Sequence, residues 1–237
     1  MRFIAPNVLP IETEGVSLAS TFTESARKLG VISAFGFALL CLVYAVTLVV
    51  GFLSLQSAQE PIGDPLFSIL EVLIIVMAPL MVVMIATVHA WAPEESKVFS
   101  MISLVFVSLM AGVTCSVHFV MLTVSRQAAL SELTWAPLFL SFRWPSVVYA
   151  LDILAWDVFF ALSVLFAAPV FAGSRLAVWI RALLIVSGIL ALAGLSGVVE
   201  GDMQLRNVGI IGYAGVFPIA ALLLAILFLR AKPRPSE

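Results

Sequence analysis

From Val98 to Thr123 the chain carries no Asp, Glu, Lys or Arg. A helix needs about 20 residues to cross a hydrocarbon core about 30 Å thick, and this run is long enough. Five more stretches match it, at about 31–55, 66–90, 148–172, 178–199 and 207–230. Six such runs leave few folds open, because lipid cannot satisfy a backbone N–H or C=O. Only helices and closed barrels solve that problem. A barrel needs strands that alternate in polarity. The passage "LEVLIIVMAPLMVVMIATVHAW" is apolar on every face. The predicted fold is therefore an all-α integral membrane bundle of six transmembrane helices. It comprises an N-terminal segment (1–30), the bundle (31–230) and a short tail (231–237). Composition agrees: 62% of the 237 residues are hydrophobic and 11% are charged, against about a quarter charged in soluble domains.

Basic residues set the expected orientation. With the N-terminus inside, one side holds Arg2, Arg27, Lys28, Lys97, Arg175, Arg181, Arg230, Lys232 and Arg234, and the other holds Arg126, Arg143 and Arg206. The positive-inside rule then places both termini in the cytoplasm. Trp91 and Trp179 fall at the inner interface, and Trp135 and Trp144 at the outer one, as interfacial belts do. The net charge of -2 gives no footprint for nucleic acid. Cys41 and Cys115 lie in different spans and read as apolar filler.

Segments between the spans carry signals of their own. Thr21 and Glu24 fit a capping box, which predicts a helix from about Phe22 into the first span. The longest connection, 124–147, contains "LTWAPLFLSFRWPS", too short and too broken by proline to span. It is expected to rest in the outer interface or to dip back as a re-entrant lid. Pro79, Pro169 and Pro218 each sit in an even-numbered span and are expected to kink it. Ala193, Gly197 and Gly201 recur every four residues, a spacing that lets helices approach closely. They can serve packing within the bundle, a homo-oligomer or a membrane partner.

Ionisable groups inside a span cost at least about 2.5–3.5 kcal/mol at the helix centre. The chain accepts that cost at Glu71, His118, Asp152 and Asp157. Helical rise puts His118 about 11 Å beyond the midplane and Asp157 within about 5 Å of it. Glu71 and Asp152 fall in the same outer half. Three helices thus deliver polar groups to one layer. Asp152 and Asp157 are about 140° apart on a regular helix, so one faces the bundle and the other its edge. Asp157, being deeper, is the expected interior member beside His118. Thr114 lies one turn before His118 and can bond the ring or the backbone. Trp156 needs a partner for its indole N–H. Glu200, Asp202 and Arg206, between the last two spans, form an expected charged mouth above the layer.

These residues admit three functions. A carboxylate with a histidine suits proton relay in a small transporter or sensor. Interhelical hydrogen bonding suits a non-catalytic subunit or assembly factor. Acid–base chemistry on a lipid-linked substrate suits an intramembrane enzyme, but no HExxH, GxSxG or metal-ligand spacing is present, and no cofactor or metal is expected. The passages "WPSVVYALDILAWDVFFALSVLFAAPVF" and "RALLIVSGILALAGLSGVVEGDMQLRNVGIIGYAGVFPIAALLLAILFLR" resemble bacterial six-helix inner-membrane proteins of unknown function. That resemblance implies topology and a bacterial plasma membrane, and it transfers no functional residue.

Overall fold

The computed structural model describes residues 22–57 and 60–233. Six helices are long and apolar enough to cross a membrane: α1 (Glu24–Leu53), α2 (Leu66–Trp91), α3 (Glu94–Arg126), α4 (Val147–Val170), α5 (Arg175–Glu200) and α6 (Met203–Arg230). Consecutive helices pack side by side, and α1 closes the ring against α6. The outward faces are apolar, as with Leu29, Ile32, Phe35, Leu39 and Leu42 along α1. Such a surface is stable in lipid and not in water. This is a multi-pass membrane bundle.

Polar caps set where several helices begin. The Oγ atoms of Thr23, Ser146 and Ser174 accept from the N–H groups of Ala26, Tyr149 and Ala177, and Asp202 accepts from Gln204 N–H. Each satisfies a donor that the first turn leaves free. The capping residue of α1 is thus Thr23; Thr21 lies outside the described residues. The last span starts at Met203, four residues before the sequence-based boundary, because Asp202 caps it. Arg206 consequently belongs to a helix and not to a loop.

Two of the six helices are not regular. Leu154–Phe160 in α4 and Ile211–Val216 in α6 are π-helical turns, in which bonds run from i to i+5. The prolines fall at natural breaks. Pro218 opens the regular stretch Phe217–Arg230 just after the second π turn, where its missing N–H costs least. Pro169 sits in the 3₁₀ turn that ends α4, while Pro79 lies within a regular α-helical stretch.

The bundle has two unlike ends. At the end where α1 begins and α6 finishes, large side chains fill the interior. Phe217 meets Phe37 edge-on at 5.3 Å and Phe160 at 5.0 Å, and Met81, Met84 and Leu224 pack with them. At the other end, the α1–α2 and α3–α4 connections cover the bundle. Arg126 grips Asp64 with two hydrogen bonds, of 2.9 and 3.1 Å. The Ser68 hydroxyl and Arg126 hold the Asp64 carboxyl below its usual range. That contact contributes above the ordinary carboxylate pKa and fades as pH falls through the lowered value; being exposed, it is weak. The 124–147 connection forms short helical turns at Val124–Arg126, Ala128–Ser131 and Ala136–Phe139. Leu140 and Phe142 then tuck against Val117, Met121 and Val148.

The small residues of α5 serve three different purposes. A Cβ at Gly197 would stand 2.7 Å from Arg206 N and 2.8 Å from Asp202 O. Gly201 ends the helix at φ 69, a left-handed turn that other residues resist. Ala193 is exposed. Gly197 is therefore occupied inside the chain, pressed on α6 at the level of Arg206. Gly197→Ala is expected to cost about 1–3 kcal/mol by overpacking against backbone. Gly112, where an added Cβ meets nothing within 4 Å, is the control: Gly112→Ala should leave the melting temperature in detergent unchanged, and Gly197→Ala should lower it.

Candidate functional site

The ionisable side chains expected in one layer meet in a single chain of contacts. His118, from α3, places Nδ1 2.9 Å from Glu71 Oε2 of α2. Its Nε2 lies 3.5 Å from Asp152 Oδ1 of α4, within ion-pair reach but without hydrogen-bond geometry. The other Asp152 oxygen accepts from Arg206 Nη2 of α6 at 3.3 Å. Arg206 Nε donates to Asp157 Oδ2 at 3.0 Å, and Nη1 donates to Tyr149 Oη at 3.1 Å. The order is Glu71, His118, Asp152, Arg206, Asp157. Four helices contribute, and burial is deep: 4% of Glu71, 3% of His118, 4% of Arg206 and none of Asp157 is exposed.

The π turn in α4 explains how this is possible. On a regular helix Asp152 and Asp157 diverge by about 140°. A wide turn with i to i+5 bonding stacks residues five apart instead. Both aspartates therefore reach one guanidinium. The expectation of one inward and one outward aspartate is corrected by this local geometry. So is the pairing of His118 with Asp157: the histidine's partners are Glu71 and Asp152, and the deeper aspartate belongs to Arg206.

Arg206 is the largest departure from the sequence reading. Placed at a mouth beside Glu200 and Asp202, it instead lies at the centre of the network. Its neighbours stay at the rim: Asp202 caps α6, and Glu200 is exposed at the end of α5. The glycines Gly197, Gly194 and Gly209 make its depth possible. They let the two helices touch where the Arg206 backbone passes. Gly209 also leaves room for a carboxylate, since a Cβ there would stand 2.7 Å from Asp157 Oδ1. The supporting residues resolve differently as well. The Thr114 hydroxyl donates to Met110 Sδ at 3.5 Å and not to the His118 ring. Trp156 packs on Tyr213 at 5.1 Å and on Phe160 at 5.9 Å. Tyr149, which sequence reading missed, contacts Arg206 both through its hydroxyl and through its ring, 4.8 Å from the guanidinium carbon.

The network floors a cavity of about 870 Å³. Glu71, His118, Asp152 and Arg206 line it, and Asp157 lies behind Arg206. Tyr44, Leu48 and Phe52 of α1 form one wall, and Ile210, Tyr213 and Ala214 of α6 the facing one. Leu140, Ser141, Phe142 and Arg143 form the roof. Phe142 sits over the His118 ring, centroids 5.3 Å apart.

Comparison of the chain with family models, with curated proteins and with solved structures gives no match. Chemistry at the site has to come from its own geometry. Three carboxyl groups face one guanidinium and one imidazole, so the acidic groups outnumber the basic ones by one. The arrangement can exchange protons, because imidazole and carboxyl groups do so readily. It can also hold a ligand group that donates hydrogen bonds.

Removing Arg206 strands two carboxylates in an apolar interior. Arg206→Gln is expected to destabilise the protein by about 3–5 kcal/mol. Tyr149→Phe removes one hydrogen bond from a charged guanidinium and is expected to cost about 1.5–3 kcal/mol. Unfolding by titration with a denaturing detergent measures both.

Proposed function

We propose that this protein is a small proton-coupled transporter or sensor of the bacterial plasma membrane, with the cavity as its ligand site. The basic-residue count supports cytoplasmic termini and a cavity that faces outward. The observation that carries the proposal is the cavity floor: a large space ends on buried, mutually paired ionisable groups. A bundle held together only by interhelical hydrogen bonds has no need to expose such groups to an open space, whereas relays in transporters line ligand pathways with them.

Roles follow from position. Glu71, His118 and Asp152 meet the cavity and form the proton-handling element. Arg206, which also lines the cavity, fixes Asp152 in place, with Asp157 behind it. The 140–143 segment acts as a lid, with Phe142 against His118. The aromatic and methionine packing around Phe37, Phe217 and Met81 closes the route toward the cytoplasm. In the transporter form, the π turns and Pro79 are the places where α2, α4 and α6 bend to open it. In the sensor form, ligand binding shifts the lid alone.

Proteoliposomes with a trapped pH dye test the coupling. Across a panel of added solutes, one that speeds the decay of an imposed pH gradient is expected to lose that effect in Asp152→Asn. Solute-driven proton flux that survives in a correctly folded Asp152→Asn protein would contradict the proposal.

A further inference from the structure

The cavity combines three features that select a ligand class. Its walls are aromatic: Tyr44, Phe52, Phe142, Trp156 and Tyr213 line it. Aromatic faces attract organic cations. Three carboxylates line it, those of Glu60, Glu71 and Asp152. His118 Nε2 makes no hydrogen bond within the protein and stands 3.5 Å from Asp152 Oδ1.

Its two arginines, Arg143 and Arg206, do not reverse the sign: with Asp157 behind Arg206, four carboxylates stand against two guanidiniums and one imidazole. Arg206 spends Nε, Nη1 and Nη2 on Asp157, Tyr149 and Asp152. The carboxylates differ, since each oxygen can accept more than one hydrogen bond. Glu71 and Asp152 therefore keep capacity for a donor from the cavity side. The volume, about 870 Å³, matches a ligand of drug size.

We infer that the cavity binds an amphipathic organic amine, its ammonium group against the cavity side of the Glu71–His118–Asp152 row and its apolar body along the aromatic wall. This assignment rests on the ligand-binding role proposed above and narrows it to one chemical class. A neutral ligand would leave the excess charge uncompensated, and an anionic one would add to it.

A matched probe series tests the class without altering the protein. 4-Phenylbutylamine, 4-phenylbutanol and 4-phenylbutanoate share one body and differ in the head group. Calorimetric titration into wild-type protein in lipid nanodiscs, corrected with empty nanodiscs, is expected to show saturable one-to-one binding of the amine. The alcohol and the acid are expected to bind at least tenfold more weakly. Glu71→Gln combined with Asp152→Asn should weaken the amine at least tenfold, and Asp64→Asn, outside the cavity, should not. Equal or tighter binding of the acid overturns the assignment, as does amine binding that persists in a folded double variant or is absent from folded wild-type protein. The two proposals fail separately. Network-dependent binding of the acid would sink the amine and keep the ligand site. Amine binding without proton flux in proteoliposomes would sink the coupling and keep the amine.

Discussion

The fold depends on one guanidinium almost wholly withdrawn from its surroundings, that of Arg206, 4% exposed. Arg206 is buried between α4 and α6, and it is tolerable there only because Asp152, Asp157 and Tyr149 each take one of its donors. A buried charge without such partners is strongly destabilising. The helices must therefore hold these groups within hydrogen-bond reach. That demand explains the π turn that stacks the two aspartates, the glycines that let α5 and α6 touch, and the Asp202 cap that starts α6 early enough to carry Arg206 inside.

The second consequence runs outward from Arg206. Asp152 is shared: one oxygen faces the arginine and the other faces His118. A change in the charge or position of His118 thus acts on the arginine through a single carboxylate. Phe142 rests on the histidine, so the roof is mechanically linked to the same group. A displacement at the roof or at the floor therefore acts on helices α2, α3, α4 and α6 together.

Much of this was legible in the sequence, and the rest was hidden for identifiable reasons. The six spans follow from the length of their apolar runs, because hydrophobic length is a one-dimensional property. The common layer of Glu71, His118, Asp152 and Asp157 follows from helical rise, which is nearly invariant. Rotation about a helix axis is not. The π turn at Leu154–Phe160 has no sequence mark, and it changes the angle between Asp152 and Asp157. Arg206 was misplaced because a charge beside Glu200 and Asp202 resembles a loop. Gly194, Gly197 and Gly209 were the signal that a long side chain could be accommodated nearby, since small residues on both helices mark a close crossing. Tyr149 gave no signal, as a tyrosine near a span end is ordinary.

The most direct test concerns who pairs with whom. Double-mutant cycles, measured as unfolding free energies in a denaturing-detergent titration, report pairwise coupling. Asp157→Asn with Arg206→Gln is expected to show a coupling of about 1 kcal/mol or more, as residues in one ion-pair network do. Asp157→Asn with His118→Gln is expected to couple by less than about 0.5 kcal/mol. The reverse pattern, with Asp157 coupled to His118 and indifferent to Arg206, would contradict the network and the π turn that builds it.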